Sequence, residues 1–563
     1  MSDTSTTDST PPKPWLASYP AGVPEFIETD TYQSVCEIFD ESASRFAERP
    51  AFKNFGKTLT YGEIEQQVAA FAAWCRHEAG LNKGDRIAVM MPNLLQYPIV
   101  VFGALRAGLV VVNTNPLYTE RELEHQLSDS GATAIVVAEA FAHTVQGVIA
   151  RTSLKTVVVT AFGDMLGFPK SLLVNLVVRH VKKLVPAWDL PGSHSLRDVL
   201  SKGASLPATA SQPGHDDIAF LQYTGGTTGV AKGAMLTHGN MTANVLQAHA
   251  WIISELEEGK EVIVTALPLY HIFALTANCL TFMRLGALNL LITNPRDLPA
   301  FVKDLSTTPF SVMTGVNTLF NALLARDDFK ALDFSSLKVT LGGGMAVQEA
   351  VANRWKEVTG VTLIEAYGLT ETSPAACMNP MNLGAFNHSI GLPISSTEAS
   401  VRDPDNQAVP NGETGELCIR GPQVMSGYWQ RPDATAETID AEGWLHTGDI
   451  ATLSDTGFVQ IVDRLKDMIL VSGFNVYPNE IEGVIASMPE VLEVGAIGVP
   501  DDHSGEVVKV VIVKQDPSLT EDQVHAHCKE NLTGYKRPKL IQFVDEIPKT
   551  NVGKILRREL REL

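Results

Sequence analysis

The chain of 563 residues lacks paired cysteines and has little positive charge. Its six cysteines are scattered without a Cys-x-x-Cys pair, so their spacing predicts neither a disulfide framework nor a zinc site and favours a reducing compartment. Lys and Arg number 44 against 64 Asp and Glu, a formal net charge of −20. Because phosphate contacts need a basic surface, this balance argues against nucleic-acid binding as the main function.

Long hydrophobic runs are also absent. No stretch reaches the ~18 uninterrupted apolar residues of a membrane span. The longest approach to one, at 97–113, is broken by Arg106 and Gly108. The polar, proline-bearing N-terminus lacks the charged start and apolar run of a signal peptide, and residues 1–30 are typical of a flexible arm. These features predict a cytoplasmic protein.

Strand-like runs alternate with helical patterns in two long stretches, which is the signature of parallel α/β sheets. Thr60 and Glu63 predict a capping box at the first long helix. From about Ile390 short strands and turn signals indicate a small β-rich unit, and the last 97 residues have a mixed α+β pattern. We therefore predict a large domain over 31–465, with two α/β subdomains and a β-rich one, and a small α+β domain over 466–563.

The stretch YTGGTTGVAKGAMLTHGN (223–240) resembles a phosphate cradle but fits neither the Walker nor the Gly-x-Gly-x-x-Gly spacing. It lies between two strand-like runs, and Asn240 is the predicted cap of the next helix. Glycine-rich backbone can point several N–H groups at phosphate oxygens, to which the threonine hydroxyls and one lysine would add. An ordinary glycine-rich hairpin is the alternative. The candidate residues are Thr224, Gly225, Gly226, Thr227, Thr228, Gly229 and Lys232.

Further motifs follow in a specific order. They are PLYHIF (268–273), GGGM (342–345), EAYGLTETSP (365–374), GELCIRGP (415–422), GWLHTGD (443–449), VDRLKDMILVSGFNVYPNEIE (462–482) and PKTNVGKILRREL (548–560). Together they resemble the adenylate-forming superfamily of acyl-CoA synthetases, luciferases and peptide-synthetase adenylation domains. Within it, the sequences of the loop at 223–240 and of SGFNVYPNEIE resemble those of bacterial long-chain fatty acid–CoA ligases. The resemblance implies ATP-dependent formation of acyl-CoA through an acyl-adenylate, with Mg²⁺, and a mobile C-terminal domain.

The resemblance also implies roles for single residues. Thr224–Lys232 would hold the β- and γ-phosphates, Glu371 with Thr370 would hold Mg²⁺, and Asp449 with Arg464 would bind the ribose. The implied adenine and nucleotide contacts are Gly342, Gly343, Gly344, Tyr367, Gly368 and Ile461. Lys554 would pair with the acyl carboxylate and α-phosphate, and His271 would gate the acyl tunnel, unless it is a core histidine. Lys466 would be the domain hinge, and Gly473, Phe474, Lys536 and Arg537 would contact CoA.

Alternatives remain open on the same scaffold. An aryl or medium-chain acid–CoA ligase and a fatty acyl-AMP ligase share these motifs, and a lipid-binding protein with a vestigial ATP site is the non-enzymatic reading. The isoleucine after His271 stands where peptide-synthetase domains carry an amine-binding aspartate, which favours a substrate without an amino group. The junction reads Asp-Arg-Leu-Lys (463–466) where relatives often carry Asp-Arg-Lys-Lys, so its local charge is lower.

One basic amphipathic stretch stands out in this acidic chain. Residues 168–184, FPKSLLVNLVVRHVKKL, place Leu172, Leu173, Leu176, Val177, Val181 and Leu184 on one helical face and Asn175, Arg179, Lys182 and Lys183 on the other. Such a pattern fits an interfacial helix on anionic lipid, or a helix packed between domains. It predicts peripheral contact with the inner membrane surface. The sequence leaves the oligomeric state open, a homodimer included.

Overall fold

The structure is a computed structural model that describes residues 13–209, 212–224, 231–501, 503–550 and 553–563. Several helices begin at a Ser, Thr or Asp whose side chain accepts a hydrogen bond from the first turn, and Thr60 and Glu63 form the predicted capping box. The α-helices are α1 Val35–Arg45, α2 Tyr61–His77, α3 Gln96–Arg106, α4 Glu120–Ser130, α5 Ala142–Val148, α6 Lys170–Leu176, α7 Leu196–Gly203, α8 His238–Ile252, α9 Thr281–Arg284, α10 Leu298–Ser306, α11 Asn317–Leu324, α12 Asp327–Lys330, α13 Glu349–Thr359, α14 Pro432–Thr438, α15 Pro478–Ala486, α16 Glu521–Asn531 and α17 Arg557–Leu560.

The strands coincide with the apolar runs expected from the sequence. They are β1 Pro50–Asn54, β2 Lys57–Thr60, β3 Arg86–Met90, β4 Val110–Asn113, β5 Ala134–Ala138, β6 Thr156–Thr160, β7 His194–Ser195, β8 Ile218–Thr224, β9 Lys232–Thr237, β10 Val262–Thr265, β11 Leu288–Leu291, β12 Val312–Gly315, β13 Val339–Gly342, β14 Leu363–Gly368, β15 Ala375–Met378, β16 Leu392–Pro393, β17 Glu398–Arg402, β18 Thr414–Arg420, β19 Leu445–Leu453, β20 Val459–Arg464, β21 Ile469–Val471, β22 Phe474–Val476, β23 Val491–Asp501, β24 Gly505–Lys514 and β25 Leu540–Val544.

Two large sheets form the body of the chain. One has seven strands in the order β7-β6-β5-β3-β4-β8-β9, parallel except for the β8–β9 pair. The other has nine strands in the order β16-β15-β14-β13-β12-β10-β11-β1-β2, with a parallel centre. The early hairpin β1–β2 joins this second sheet through β11 rather than the sheet nearest in sequence. A single hydrophobic cluster contains side chains from both halves, which fixes the two sheets against one another.

Two smaller sheets follow. β17 to β20 form an antiparallel four-stranded sheet, which is the expected β-rich unit. β21 to β25 form the last sheet with α15 and α16 packed on it, which matches the expected α+β pattern. The change of sheet falls between Arg464 and Ile469, around the predicted boundary at 465/466. Within the described ranges, every helix is too short or too polar to traverse a lipid bilayer.

The N-terminal segment differs from its prediction. Residues 13–30 are folded onto the β-rich unit, and Trp15 is buried against Gly457. Gly457 has a φ of +84°, and a Cβ on it would lie 2.2 Å from the Trp15 Cα, so glycine alone allows this contact. The prediction of a flexible arm over 1–30 is therefore wrong for 13–30, because an aromatic anchor holds that part. Residues 1–12 lie outside the described residues.

Candidate active site

The stretch at 223–240 joins two antiparallel strands, as predicted. β8 ends at Thr224 and β9 begins at Lys232, and these two residues are direct partners in the ladder. The Thr224 hydroxyl donates to the Lys232 carbonyl at 3.5 Å. The five candidate phosphate ligands between them lie outside the described residues, so their role stays a prediction; they are Gly225, Gly226, Thr227, Thr228 and Gly229.

The prediction that Asn240 caps the next helix is wrong by three residues. α8 begins after Thr237, whose hydroxyl oxygen accepts the Asn240 backbone N–H at 3.1 Å, while Asn240 Oδ1 accepts the Thr237 backbone N–H at 3.0 Å. Asn240 therefore closes a capping box from the third helical position. Its amide also donates to the carbonyls of Pro422 and Val424, both at 2.9 Å, which ties the hairpin to the segment after β18.

An aromatic ring connects the lysine of this hairpin to the predicted magnesium ligand. Lys232 Nζ lies 5.1 Å from the centroid of the Tyr428 ring, and the Tyr428 hydroxyl donates to Glu371 Oε1 at 2.6 Å. Burial and the Glu371 charge raise the pKa of Tyr428. Sequence reasoning missed Tyr428, although the Gly-Tyr-Trp run at 427–429, just after a recognised motif, was the signal for it.

A second aromatic residue holds the predicted ribose ligand. The Tyr367 hydroxyl donates to Asp449 Oδ2 at 2.6 Å, and Arg464 Nε forms an ion pair with Asp449 Oδ1 at 3.0 Å. Asp449 and Arg464 are cross-strand partners on β19 and β20, which places them side by side by register. The Asp449 side chain is 5% exposed. Ile461 lies half-buried earlier on β20.

Glycine residues lie at the strand ends near Tyr367, the partner of Asp449. β13 and β14 are parallel neighbours, so the Gly342–Gly344 run after β13 and Tyr367 at the end of β14 lie at the same sheet edge. A Cβ on Gly344, whose φ is +77°, would lie 3.8 Å from the Lys554 Cε. At Gly368 a Cβ would lie 1.7 Å from a backbone oxygen, so the chain has no room there for a side chain. A flat ring and strand ends without side chains are features that allow a planar base to approach closely.

Lys554 of the C-terminal domain lies inside this arrangement. Burial lowers the pKa of its ammonium to about 8, helped by the nearby positive charges of Arg464 and Lys466 and opposed by Asp449 and Glu371. All four neighbours are predicted site residues. The small domain is anchored beside α11, where the Thr318 hydroxyl donates to the Gly553 carbonyl at 3.4 Å. The structure therefore brings Lys554 together with the predicted ribose and magnesium ligands.

His271 borders the same space. It precedes a π-helical segment, Ala274–Leu280, and its Nδ1 accepts the Phe273 backbone N–H at 3.3 Å. Burial and the Lys554 charge lower the pKa of His271 to about 3, so the ring is neutral at physiological pH. Since Nδ1 accepts a hydrogen bond, the proton resides on Nε2. The ring can donate one hydrogen bond without carrying charge.

The domain junction forms a turn after β20. Asp467 and Met468 donate their backbone N–H groups to the Arg464 carbonyl, both at 3.1 Å, with Lys466 inside that turn. Burial, followed by the Arg464 charge, lowers the pKa of Lys466. Arg557 braces the junction from α17 through an ion pair with Asp467 at 3.1 Å. The assignment of Lys466 as hinge stays a prediction.

The residues predicted to contact CoA lie on the outer surface of the small domain. Gly473 and Phe474 are exposed, and the Phe474 ring stacks on Tyr535 with centroids 4.8 Å apart. Lys536 pairs with Glu480 at 2.7 Å, and Arg537 Nε donates to a backbone carbonyl at 2.8 Å. Both cations are therefore engaged within the domain. Their contact with CoA stays a prediction.

The arrangement suits a nucleoside triphosphate with a divalent metal ion. Glu371 is a carboxylate near the β8–β9 hairpin, which is predicted to bind phosphate, and Mg²⁺ prefers oxygen ligands. Asp449 is oriented by two donors to accept hydroxyl groups, and Lys554 offers a cation that is poorly solvated and so interacts strongly with phosphate or carboxylate oxygens. The residues present therefore fit ATP and Mg²⁺.

Comparison with known proteins agrees with this geometry. The family model described as AMP-binding enzyme matches residues 39–429, and the AMP-binding enzyme C-terminal domain matches residues 480–554. This chain belongs to the AMP-binding enzyme family. This chain is 58% identical over 550 residues to a long-chain-fatty-acid–CoA ligase of Escherichia coli O6:H1. It is 53% identical over 554 residues to one of Haemophilus influenzae, and 98% of each chain is covered in both comparisons.

A solved structure of similar architecture is the anthranilate CoA ligase AuaEII in complex with anthranoyl-AMP. The TM-score is 0.84 at 25% identity, and the match covers 95% of this AMP-binding enzyme and 98% of that chain. The predicted fold class, parallel α/β subdomains with a C-terminal α+β domain, is confirmed.

Proposed function

We propose that this AMP-binding enzyme is an AMP-forming long-chain fatty acid–CoA ligase. The observation that carries the proposal is its similarity over almost the whole chain to relatives so named, at 53–58% identity. A feruloyl-CoA synthase of Amycolatopsis is similar at 34% identity and the anthranilate CoA ligase at 25%, both well below 53–58%, so the aryl-acid alternative has less support. The convergence of Lys554, Glu371, Asp449 and Arg464 supports an adenylating enzyme over a lipid-binding protein with a vestigial ATP site.

The reaction has two steps for which these residues are suited. The fatty acid carboxylate attacks the α-phosphate of ATP, so that pyrophosphate leaves and acyl-AMP forms; the CoA thiol then attacks the acyl carbon and AMP leaves. In the first step the protein must bring two anions together, which is positioning and charge neutralisation. Lys554 would lie between them, Asp449 and Arg464 would fix the ribose, and Tyr367 with Gly342–Gly344 would hold adenine.

The remaining roles follow from the geometry around the phosphates. Glu371 would bind Mg²⁺, which supplies neutralisation of phosphate charge when present. Tyr428 would orient the Glu371 carboxylate through its hydroxyl, and Lys232 would face the phosphates next to it. His271, being neutral, would border the acyl path and donate from Nε2 without attracting the carboxylate as an ion pair. A neutral gate of this kind suits a long apolar acyl chain.

The activity is tested by measuring AMP release with ATP and Mg²⁺, with and without CoA, over straight-chain saturated acids from short to very long and an aromatic acid. We expect AMP release to depend on CoA and kcat/KM to be highest for long chains. CoA-independent release of acyl-AMP would favour an acyl-AMP ligase. Highest activity with the aromatic or short acids would contradict the long-chain assignment, and no pyrophosphate release with any acid would contradict adenylation.

The pKa of Lys554 gives the first step a pH dependence. Its value of about 8 lies below the ordinary value of a lysine, so the ammonium is present at pH 7 and is lost as the pH rises through 8. We expect kcat/KM for ATP in pyrophosphate release to fall about tenfold per pH unit above that value. Lys554→Arg should remove this alkaline limb, because a guanidinium stays charged. A limb that persists in Lys554→Arg would assign the titration to another group.

We further propose that the segment 168–184 docks on an anionic membrane surface. Its apolar face points away from the protein: Phe168, Leu172, Leu173, Leu176, Val181 and Leu184 are 89, 65, 62, 49, 68 and 51% exposed. Two of its polar side chains reach back to the protein: Asn175 accepts the Gly163 N–H at 2.7 Å, and the half-exposed Arg179 pairs with Glu139 at 2.5 Å. A helix packed between domains would instead bury its apolar face. Lys182 and Lys183 are exposed beside the apolar face, where their charges can contact anionic lipid headgroups.

Co-sedimentation with vesicles tests the docking. Near an anionic surface each lysine contributes about 1 kcal/mol, so Lys182→Glu with Lys183→Glu should weaken binding to phosphatidylserine-containing vesicles by at least roughly 30-fold. The matched control is Lys202→Glu with Lys303→Glu, which changes net charge equally at exposed lysines on α7 and α10. Equal weakening by both pairs would mean that overall charge, and not this segment, governs the binding. No binding by the unaltered protein would also contradict the proposal.

A further inference from the structure

Three side chains with metal-binding atoms converge on β18 and β19. Glu416 Oε2 lies 2.8 Å from His446 Nδ1, and Cys418 Sγ lies 3.5 Å from the same nitrogen. The three ligand atoms all lie within 4.8 Å of one another. Cys418 and His446 are cross-strand partners, and Glu416 is two residues from Cys418 on the same strand, hence on the same face. The Cys418–His446 strand pair, together with a register irregularity between Glu416 and Cys418, therefore assembles the cluster.

We propose that Glu416, Cys418 and His446 form a site for a divalent cation of the zinc type. Around a tetrahedral Zn²⁺ with bonds of about 2.0 Å to N and O and about 2.3 Å to S, neighbouring ligand atoms are roughly 3.3–3.6 Å apart. The sulfur–nitrogen distance already has this value, and the carboxylate needs to withdraw by about half an ångström. The thiol proton passes to solvent as the sulfur coordinates the cation.

The site also has an accessible side. The side chains of Glu416 and His446 are 24 and 22% exposed, whereas Cys418 is buried. A cation can therefore arrive from solvent and keep a water molecule as its fourth ligand. Thiolate and imidazole are poor ligands for Mg²⁺, so the cluster differs in chemistry from the all-oxygen Glu371 site.

Neighbouring groups hold the ligands in orientations that metal sites need. Glu416 Oε1 accepts the Gly448 backbone N–H at 2.9 Å, which leaves Oε2 directed at the cluster. His446 Nε2, the nitrogen opposite the ligating one, lies 3.8 Å from Asp440 Oδ2. This distance is longer than a hydrogen bond, but closing it would give the carboxylate–histidine pair that fixes the ring and its tautomer in metal sites. Asp440 is itself fixed, because its Oδ1 accepts two backbone N–H groups, both at 2.9 Å.

The charge around the cluster is mixed but favours a cation. Glu416, Asp440 and Glu442 contribute negative charge, and Arg402 contributes one positive charge close to Asp440 and Glu442. A second arginine, Arg420, lies over the Trp444 ring but is paired with Glu398. The guanidinium of Arg402 also lies 4.6 Å from the centroid of the Trp444 ring, so it is held to one side. Coordination of the thiolate adds a further negative charge to the site. The sum attracts a divalent cation, with part of the attraction cancelled by the arginine.

Cobalt(II) is the probe of choice because a thiolate–Co²⁺ bond gives a charge-transfer band in the near ultraviolet. The full-length protein, reduced and stripped with a chelator, is titrated with Co²⁺ without nucleotide. We expect one equivalent to bind with that band and Zn²⁺ to displace it. Cys418→Ser should abolish the band, and Asp440→Asn should weaken Co²⁺ binding by roughly 10- to 100-fold. Cys36→Ser is the control, because Cys36 is the most exposed of the six cysteines and should not matter.

Three outcomes would overturn the proposal: no charge-transfer band in the unaltered protein, a band that survives in Cys418→Ser, or equal loss in Cys36→Ser. Folding of each variant is checked by its far-ultraviolet circular dichroism and thermal unfolding. Should Cys418→Ser not fold, His446→Gln provides the second test, because it removes the imidazole from a partly exposed position while keeping an amide. That variant must then bind Co²⁺ at least roughly tenfold more weakly than the unaltered protein.

Discussion

Lys554→Ala is expected to slow acyl-adenylate formation by roughly 10²–10³-fold and to leave thioester formation from supplied acyl-AMP and CoA nearly unchanged. The physical reason is that the ammonium is desolvated among Arg464, Asp449, Glu371 and Lys466, where a charge contact made in the transition state is strong. That contact is needed only while carboxylate and α-phosphate approach each other. Pyrophosphate release reports the first step, and CoA consumption from supplied acyl-AMP reports the second.

Lys549→Ala is the matched control for this variant. It lies five residues earlier in the same segment but pairs with Glu493 at 2.7 Å, inside the C-terminal domain. Its loss should change the two steps equally and little. Equal losses in both steps for Lys554→Ala would mean that the lysine is structural, and the assignment of Lys554 to the first step would fall.

From the position of Lys554 we predict that the two steps need two arrangements of the small domain. With the lysine inside the site, the CoA thiol needs another opening to reach the acyl carbon. Gly473 and Phe474, predicted to contact CoA, are exposed in this arrangement. A turn of the small domain about Lys466 would withdraw Lys554 and bring the β21–β22 hairpin, which holds Gly473 and Phe474, inward. Domain motions of this kind commonly separate successive steps. The rotation remains a prediction.

Much of the fold could be predicted from local patterns. Apolar runs such as 86–90 and 134–138 are buried on both faces of parallel sheets, so their strands were clear from composition alone. The capping box at Thr60 was clear because both partners lie three residues apart. The site residues were expected from the family resemblance. Parallel β13 and β14 bring Gly342–Gly344 and Tyr367 to one sheet edge, whereas Asp449 and Arg464 meet as cross-strand partners on antiparallel β19 and β20.

The misses share one physical cause, which is that partners distant in sequence decided them. Asn240 has the right chemistry for a cap, but Thr237 takes that position and Asn240 binds carbonyls after β18. Trp15 lies in a polar segment, yet a glycine more than 400 residues away admits it. At 168–184 five of the six residues predicted for the apolar face are exposed, but Val177 is half-buried at the start of a π-helical turn, and the distant partner of Arg179, Glu139, could not be predicted locally.

Asp449→Asn is expected to lower kcat/KM for ATP in the first step by roughly 10²–10³-fold. Asp449 accepts from the Tyr367 hydroxyl on one oxygen and forms an ion pair with Arg464 on the other, and a hydrogen bond to a charged group contributes about 1.5–3 kcal/mol. Asparagine keeps the shape but has one acceptor oxygen, so its NH₂ group must face a donor. The ribose hydroxyls lose a charged acceptor at the same time.

The same substitution should also act on Lys554, and this coupling is the sharper test. The Asp449 charge raises the pKa of Lys554 against the lowering effects of burial and Arg464, so its removal should bring that pKa below about 8. The alkaline limb of the pyrophosphate-release profile should then move to lower pH in Asp449→Asn. Asp455→Asn, in an exposed turn after β19, is the matched control and should leave both rate and limb in place. If the rate falls but the limb stays, Asp449 acts on the nucleotide alone and the electrostatic link to Lys554 is refuted; if neither changes, Asp449 is not a nucleotide ligand.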